Sequence, residues 1–254
     1  MKHARKADIW PLLQLETHVD IVDIGANPID GPAIYKELLK TKHAKLVAFE
    51  PQKEGFEELK SQQSDNMTIL PLAVGDGTPQ TFHRCYAPGM SSTLKPDMTS
   101  LHYMQGYQTW GQVLETSTID TARLDDIQEI TNIDFLKIDI QGGELKVFEN
   151  GLNRLSDAVL IQTEVSFNNL YHNEPLFSDI DQHLRKMGFV FHTFESMLQR
   201  CFTPVIVNDD IFQGNKQIFQ ADAVYVKDYR ALSRLSSLKQ RKLAYLLHEL
   251  YFSF

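Results

Sequence analysis

Five acidic residues and one glycine-containing turn hold the chemistry that this sequence suggests. Asp23-Ile24-Gly25-Ala26-Asn27 ends a β-branched run. A glycine at such a point lets the backbone turn tightly and approach a ligand, and the amides that open the next helix then face that ligand. A dinucleotide fingerprint needs glycines at its first, third and sixth places; here those places hold Gly25, Asn27 and Asp30. Without the second glycine the close approach of a pyrophosphate is hindered, and Asp23 and Asp30 suit a sulfonium or amino group better than an anion. Glu50, followed by Pro51, stands 25 residues beyond Gly25. A carboxylate there can accept both hydroxyls of a ribose; a solvated glutamate at a strand end is the plainer alternative.

The other acids come later. In Lys137-Ile138-Asp139-Ile140-Gln141-Gly142-Gly143-Glu144, strand alternation puts Lys137 and Asp139 on one face and Ile138 and Ile140 on the other. A buried, unpaired carboxylate costs on the order of several kcal/mol, so Asp139 must be paired, ligand-facing or solvated by a cleft. Glu144 opens a helix, where the dipole favours an acid, and a helix-start charge is its bland reading. Thr163-Glu164 ends a further strand, so Asp139 and Glu164 are expected to share one crevice. Such a pair suits a general base for a hydroxyl or, with more ligands, a divalent metal; no metal is assigned. Ala73 and Val74 could line an adenine slot or simply mark a strand end. His172, alone in a loop, reads as structural or exposed.

These residues need elements to position them. The sequence predicts a short leading helix through Leu15, then strands at Val19–Gly25, Lys45–Phe49 and Met67–Leu72 with helices at Ala33–Lys40 and Gly55–Gln62 between them. This βαβαβ order calls for a parallel sheet with right-handed crossovers. Phe82–Trp110 looks irregular, a substrate-side loop. An edge strand at Val113–Ile119 and a short helix at Ala122–Glu129 follow. Next come a strand at Asp134–Ile140, a helix at Glu144–Asn150, a strand at Ala158–Glu164 and a helix at Ser178–Lys186 stopped by Gly188. Strands at Phe189–Phe194 and Ala221–Val226 precede a closing helix. In an open α/β sheet ligands bind outside the carboxyl ends of the strands, at the switch point, which is where the acids above fall.

The ordered series VDIVDIGAN, LVAFEP, LPLAVGD, LDDI, FLKIDIQGGELKVFENG and LIQTEVSF resembles the FkbM family of methyltransferases over about Val19 to Phe167. The resemblance implies a Rossmann-like class I methyltransferase fold, an α/β domain whose mostly parallel sheet of about seven strands is flanked by helices. It also implies an S-adenosyl-L-methionine cofactor and methylation of a hydroxyl on a sugar, glycan or related small metabolite. By motif match, Asp23, Gly25, Ala26 and Asn27 are the cofactor loop, Glu50 with Pro51 the ribose acid, Ala73 and Val74 the adenine side. Asp139 and Glu144 fall in the family's acidic motif; Asp139 and Gln141 are further cofactor-binding candidates, and Asp139, Glu164 and Glu144 the catalytic candidates. The chain departs from the pattern at Gln141, where the family usually has a glutamate, and in the loop NPIDGP. An amide cannot take a proton at neutral pH. These departures sustain a rival reading, a non-catalytic binding protein on a degenerate methyltransferase fold. A nicotinamide-dependent oxidoreductase is the other rival, and the missing glycines oppose it.

The totals are consistent with one domain. The chain has 254 residues, 43% hydrophobic and 23% charged, enough for a sizeable core. The expected division is a helical lead at 1–18, the methyltransferase domain at 19–228 with an inserted loop at 82–112, and a C-terminal helix at 229–254. A net charge of −8 makes nucleic acid a poor partner. Two cysteines far apart, no apolar leader and no spanning window point to a cytoplasmic protein. The leucines from Leu232 to Leu250 form a stripe that packs on the sheet or on a second copy in a homodimer; attachment to a membrane surface is the minority reading.

Overall fold

The computed structural model describes residues 8–28 and 31–253. Asp30, residues 1–7 of the expected N-terminal lead and Phe254 lie outside the described residues. The strands are β1 (Val19–Ile24), β2 (Ala44–Phe49), β3 (Met67–Leu70), β4 (Ala73–Gly75), β5 (Gln80–Cys85), β6 (Val113–Ile119), β7 (Thr121–Arg123), β8 (Phe135–Ile138), β9 (Leu160–Ser166), β10 (Phe189–Gln199) and β11 (Ile218–Lys227). The helices are α1 (Lys36–Thr41), α2 (Lys53–Ser61), α3 (Met98–Leu101), α4 (Tyr107–Trp110), α5 (Glu144–Glu149), α6 (Leu152–Leu155), α7 (Phe177–Lys186) and α8 (Ser237–Tyr251). Seven strands form the main sheet in the order β10-β11-β9-β8-β1-β2-β3. All pair in parallel except β11, which runs antiparallel to β9 and β10. This is the Rossmann-like class I methyltransferase fold expected from the sequence, and its order reverses between β1 and β8.

Because side chains alternate along a strand, each strand feeds two layers. Val22, Ile24, Leu136, Ile138 and Ile161 pack in the core with Val147 and Phe148 of α5 and Ile180 and Leu184 of α7. On the opposite face Val19, Ile21, Phe135, Leu160 and Val224 pack with Leu243, Leu246 and Leu250 of α8. That second face changes character along every central strand. Ile21 gives way to Asp23, Phe135 to Lys137 and Asp139, Leu160 to Gln162 and Glu164, Val224 to Asp222 and Gln220. The register aligns these changes: Asp23 lies beside Lys137, Lys137 beside Gln162, and Glu164 beside Asp222. One half of the face is therefore apolar and covered by α8, and the other half is polar. The boundary is marked by Tyr251 at the end of α8, whose hydroxyl donates to Gln162 Oε1 at 2.7 Å.

Four local expectations are corrected. Trp10–Gln14 is a turn, not a leading helix; Gln14 adopts φ 49°, which stops helical propagation. The stretch read as irregular opens with β5, which pairs antiparallel with β6 in a ribbon separate from the main sheet. Its paired Thr81–Thr118 and His83–Thr116 carry no apolar alternation that would have revealed it. In place of a helix at Ala122–Glu129, β7 pairs with β4 and a 3-10 turn follows at Leu124–Asp126. The closing helix is two pieces, a 3-10 turn at Tyr229–Arg234 and α8. Leu235 and Ser236 between them are extended, and the Ser236 hydroxyl caps α8 by accepting from Lys239 N at 3.2 Å. The apolar stripe of α8 packs on the chain's own sheet. Among the described residues no helix is long and apolar enough to cross a membrane.

A buried ion network fastens α8 to the amino ends of the strands. Asp134, fully buried, accepts from Lys242 Nζ, from Lys239 Nζ at 2.8 Å and from Asp20 N at 2.8 Å. Burial pushes the Asp134 carboxyl up, but the two ammonium groups outweigh it and hold its pKa below the ordinary value. Its contribution to stability is thus present above the ordinary carboxylate range and lost as pH falls through the lowered pKa. Asp134→Asn leaves the buried Lys242 and the partly buried Lys239 facing a neutral amide, and is expected to cost about 2 kcal/mol at pH 7. Urea melts of both proteins at pH 7 and pH 3 check this: the gap should narrow at the lower pH.

Candidate active site

The polar half of the second face is the floor of a cavity of about 1720 Å³. Every residue named as a site candidate from the sequence lines it except Glu144: Asp23, Gly25, Ala26, Asn27, Glu50, Pro51, Ala73, Val74, Asp139, Gln141 and Glu164. Drug-sized ligands occupy roughly 300–1,000 Å³, so there is room for a nucleoside cofactor and an acceptor side by side.

The turn after β1 is wedged between two strand ends. Gly25 N and Ala26 N both donate to Phe49 O at 3.0 Å, and Asp139 N donates to Ile24 O at 3.0 Å. Gly25 has φ 81°, and a Cβ added there would overlap the carbonyl oxygen of Asp139. Glycine is required twice over, by conformation and by contact. Gly55 of α2 does a similar job by contact alone: a Cβ on it would lie 2.9 Å from Glu50 Cγ and 3.0 Å from Asn27 Nδ2.

Glu50 is 2% exposed. One carboxylate oxygen accepts from Gln52 N at 2.7 Å, leaving the other for a ligand. Burial pushes its pKa up to about 7, against the pull of the Gln52 amide and with a further push from Asp23. Asp23 is equally buried and is held by the chain itself. The Tyr35 hydroxyl donates to Oδ2, and Lys137 Nζ lies 3.6 Å from Oδ1. Among the described residues Oδ1 has no hydrogen-bond partner; it is buried, and the Lys137 ammonium beside it balances its charge. Burial opposes the charge on Lys137, but Asp23, Asp139, Asp222 and Glu164 outweigh burial and hold its pKa above the ordinary value.

At the switch point the carboxylates converge. Oxygens of Asp139, Glu144 and Glu164 lie within 4.8 Å of one another. The Gln141 amide spans two of them: Nε2 donates to Asp139 Oδ1 at 2.9 Å and to Glu164 Oε2 at 2.8 Å. Its carbonyl oxygen accepts from the Tyr171 hydroxyl at 3.0 Å. Glu164 has its pKa raised well above the ordinary value by burial first, then by Asp139, Glu144, Asp222 and Glu174. Glu144 is spent on the turn, where its Oε1 accepts from Ile140 N at 2.9 Å and Gly142 N at 3.2 Å. Burial takes its pKa to about 7 against those amides. His172 lies outside the cavity, half exposed and 4.0 Å from Asp97.

The inserted segment supplies a wall. Phe82, Tyr107 and Trp110 line the cavity, Ser92 Oγ donates to Gln141 O at 2.7 Å, and the fully buried Tyr171 has its hydroxyl 3.1 Å from Met90 O. Lys137, Tyr35, Gly55 and Tyr171 were missed as site residues by the sequence reading. Lys137 had a signal, a charged residue inside a buried strand; the others show themselves only through contacts made when the chain folds back on itself.

Comparison with known proteins bears on this geometry. The family described as the methyltransferase FkbM domain matches residues 23–191. The chain belongs to the FkbM methyltransferase family. The match begins at Asp23 and takes in Glu50, Asp139, Glu144 and Glu164. A 2-O-methyltransferase, NoeI, of Sinorhizobium fredii (strain NBRC 101917 / NGR234) is 27% identical over 174 residues, which are 63% of this chain and 69% of that protein. Solved structures similar to this FkbM-family chain include magnesium protoporphyrin IX methyltransferase from Synechocystis PCC 6803 with bound SAM, at 9% identity, TM-score 0.41 and coverage of 84% of this chain and 71% of that one. Precorrin-6y C5,15-methyltransferase from Geobacter metallireducens GS-15 matches at 14% identity, TM-score 0.40 and coverage of 89% and 92%. It is the strand order, and not these scores, that carries the fold.

Proposed function

We propose that this FkbM-family protein is an S-adenosylmethionine-dependent O-methyltransferase acting on a hydroxyl of an uncharged sugar, glycan or related small metabolite. The observation that carries this reading is the continuity of one cavity from the Gly25 turn and Glu50 to the Asp139–Glu164 pair. The residues fit the cofactor: Glu50 would offer its second carboxylate oxygen to ribose hydroxyls, and Ala73 and Val74, which line the same cavity, would flank an adenine. S-adenosylmethionine, when bound, supplies a sulfonium methyl that is already a strong electrophile. The chain's task is then to align the acceptor oxygen with that methyl and to exclude water. Asp139 or Glu164 takes the hydroxyl proton as the oxygen is methylated, and Glu144 holds the turn that aims Asp139.

The acceptor side bears on substrate charge. Among the described residues no arginine lines the cavity, and its lysines other than Lys137 come from α1 and the residue after it, β2 and α5. Glu164, Asp222 and Glu195 face the acceptor half beside Tyr107 and Trp110. Carboxylates accept from sugar hydroxyls and aromatic faces cover sugar C–H groups, whereas an acceptor bearing phosphate or carboxylate would be repelled. The 2-O-methyltransferase relative is in keeping with a hydroxyl acceptor.

Calorimetry with S-adenosylhomocysteine and NADH, followed by methyl transfer to a panel of neutral and anionic glycosides, tests the reading. Heat with S-adenosylhomocysteine and none with NADH is expected, with product from neutral glycosides; heat with NADH alone would overturn it, and cofactor binding without any transfer would favour the non-catalytic rival. Glu50 adds a pH signature. Its pKa is raised from 4.5 to about 7, so its share of stability is full below 4.5 and lost as pH rises through 7. The ligand's hydroxyls favour the ionised form, so affinity should rise over the same range, with loss of up to about ten-fold per unit below pH 7. Glu50→Gln should flatten this slope.

A further inference from the structure

We propose that Gln141 is a positioning residue whose side-chain amide bridges Asp139 and Glu164, fixing the pair toward the acceptor in the place a bridging cation would otherwise take. The inference rests on the functional reading above for its catalytic meaning and on geometry for the bridge itself. Two carboxylates this close repel when both are ionised, and a donor set between them eases that repulsion. The two N–H groups of one amide are matched to two acceptors, at 2.9 Å and 2.8 Å. The amide oxygen faces away, toward Tyr171, so each polar atom of the side chain has a partner.

The main chain keeps the amide in register. Gln141 has φ 60° and is followed by Gly142 at φ 98°. A residue other than glycine is disfavoured in this region by roughly 1–2 kcal/mol, so a side chain held there needs a return. Ser92 pins the Gln141 carbonyl at 2.7 Å, which ties the bridge to the segment that walls the acceptor side. The amide therefore links the end of β8, β9 and the loop carrying Tyr171, and the Gln141 main chain adds the inserted segment.

The alternative is that the amide turns over, presenting its oxygen to a divalent cation held by Asp139 and Glu164 and its nitrogen to the Tyr171 hydroxyl. Mn2+ titration followed by electron paramagnetic resonance separates the two. The wild-type protein is expected to leave the free Mn2+ spectrum unchanged. Gln141→Glu removes both donors and adds a carboxylate, and should acquire a saturable site at least about ten-fold tighter. Gln141→Met, which fills similar volume without donors, should keep S-adenosylhomocysteine affinity within about three-fold. On a neutral glycoside that the wild type methylates, it should lose turnover by about 10²-fold with little change in KM. Saturable Mn2+ binding by the wild type, or a Gln141→Glu protein that binds no more tightly than wild type, overturns the bridge. Absence of S-adenosylhomocysteine binding to the wild type would instead sink the functional reading and leave the Mn2+ comparison standing.

Discussion

Gly25→Ala is expected to remove S-adenosylhomocysteine binding, with affinity falling by more than about 100-fold. The residue sits at φ 81°, where an L side chain costs roughly 1–2 kcal/mol. Steric contact costs more than this backbone strain. The new methyl would be driven into the Asp139 carbonyl, and that carbonyl belongs to the backbone of the strand end beside it, so no rotamer change relieves it. β1 and β8 would have to part at the switch point, displacing the cofactor turn and the carboxylate pair together. Gly188 separates strain from contact. It has φ 82° but nothing within 4 Å of an added Cβ, so Gly188→Ala should cost about 1 kcal/mol of stability and leave binding intact. Calorimetry and thermal melts of the two variants make the comparison; equal binding by Gly25→Ala would remove the turn from the site.

Asp139→Asn is expected to lower turnover by about 10²–10⁴-fold, the usual range for loss of a general base. The amide can still accept from a hydroxyl but cannot take its proton. S-adenosylhomocysteine affinity should change far less, because Glu50 and the Gly25 turn are untouched. Glu144→Gln is the contrasting variant. Its Oε1 can be retained as an amide oxygen accepting from Ile140 N and Gly142 N, so turnover should stay within about ten-fold of wild type. Steady-state rates on the same neutral glycoside decide the matter, and full turnover by Asp139→Asn would strike it from the catalytic residues.

The central strands were legible in the sequence because they are buried on both faces, and buried parallel strands read as continuous apolar runs. The positions of Gly25, Glu50 and Asp139 followed, since each stands just past a strand end, whereas β9 runs on through Ser166 and Glu164 lies within it. What stayed hidden depends on contacts the sequence does not order. β5 and β6 form a mostly polar ribbon, so no apolar period announces the first of them. β7 is three residues long and exists through pairing with β4. Tyr35 and Tyr171 reach the site from outside its motifs, through hydroxyl contacts that no local pattern announces. Gln141 was legible as a departure, but its two acceptors became visible only when β8 and β9 were laid side by side.

The division of one sheet face into a dry half under α8 and a wet half under the cavity has a consequence for how this scaffold can change. Substitutions at Gln162, Gln220 or Asp222 would exchange one polar side chain for another on β9 and β11, without disturbing the apolar layer of Leu160, Val224 and Val226 a few residues away on the same face. Preference for a new acceptor can therefore drift while the melting temperature stays put. The two territories meet where the hydroxyl of Tyr251 reaches Gln162, so the carboxyl-terminal turn of the chain is where diversification and durability would first come into conflict.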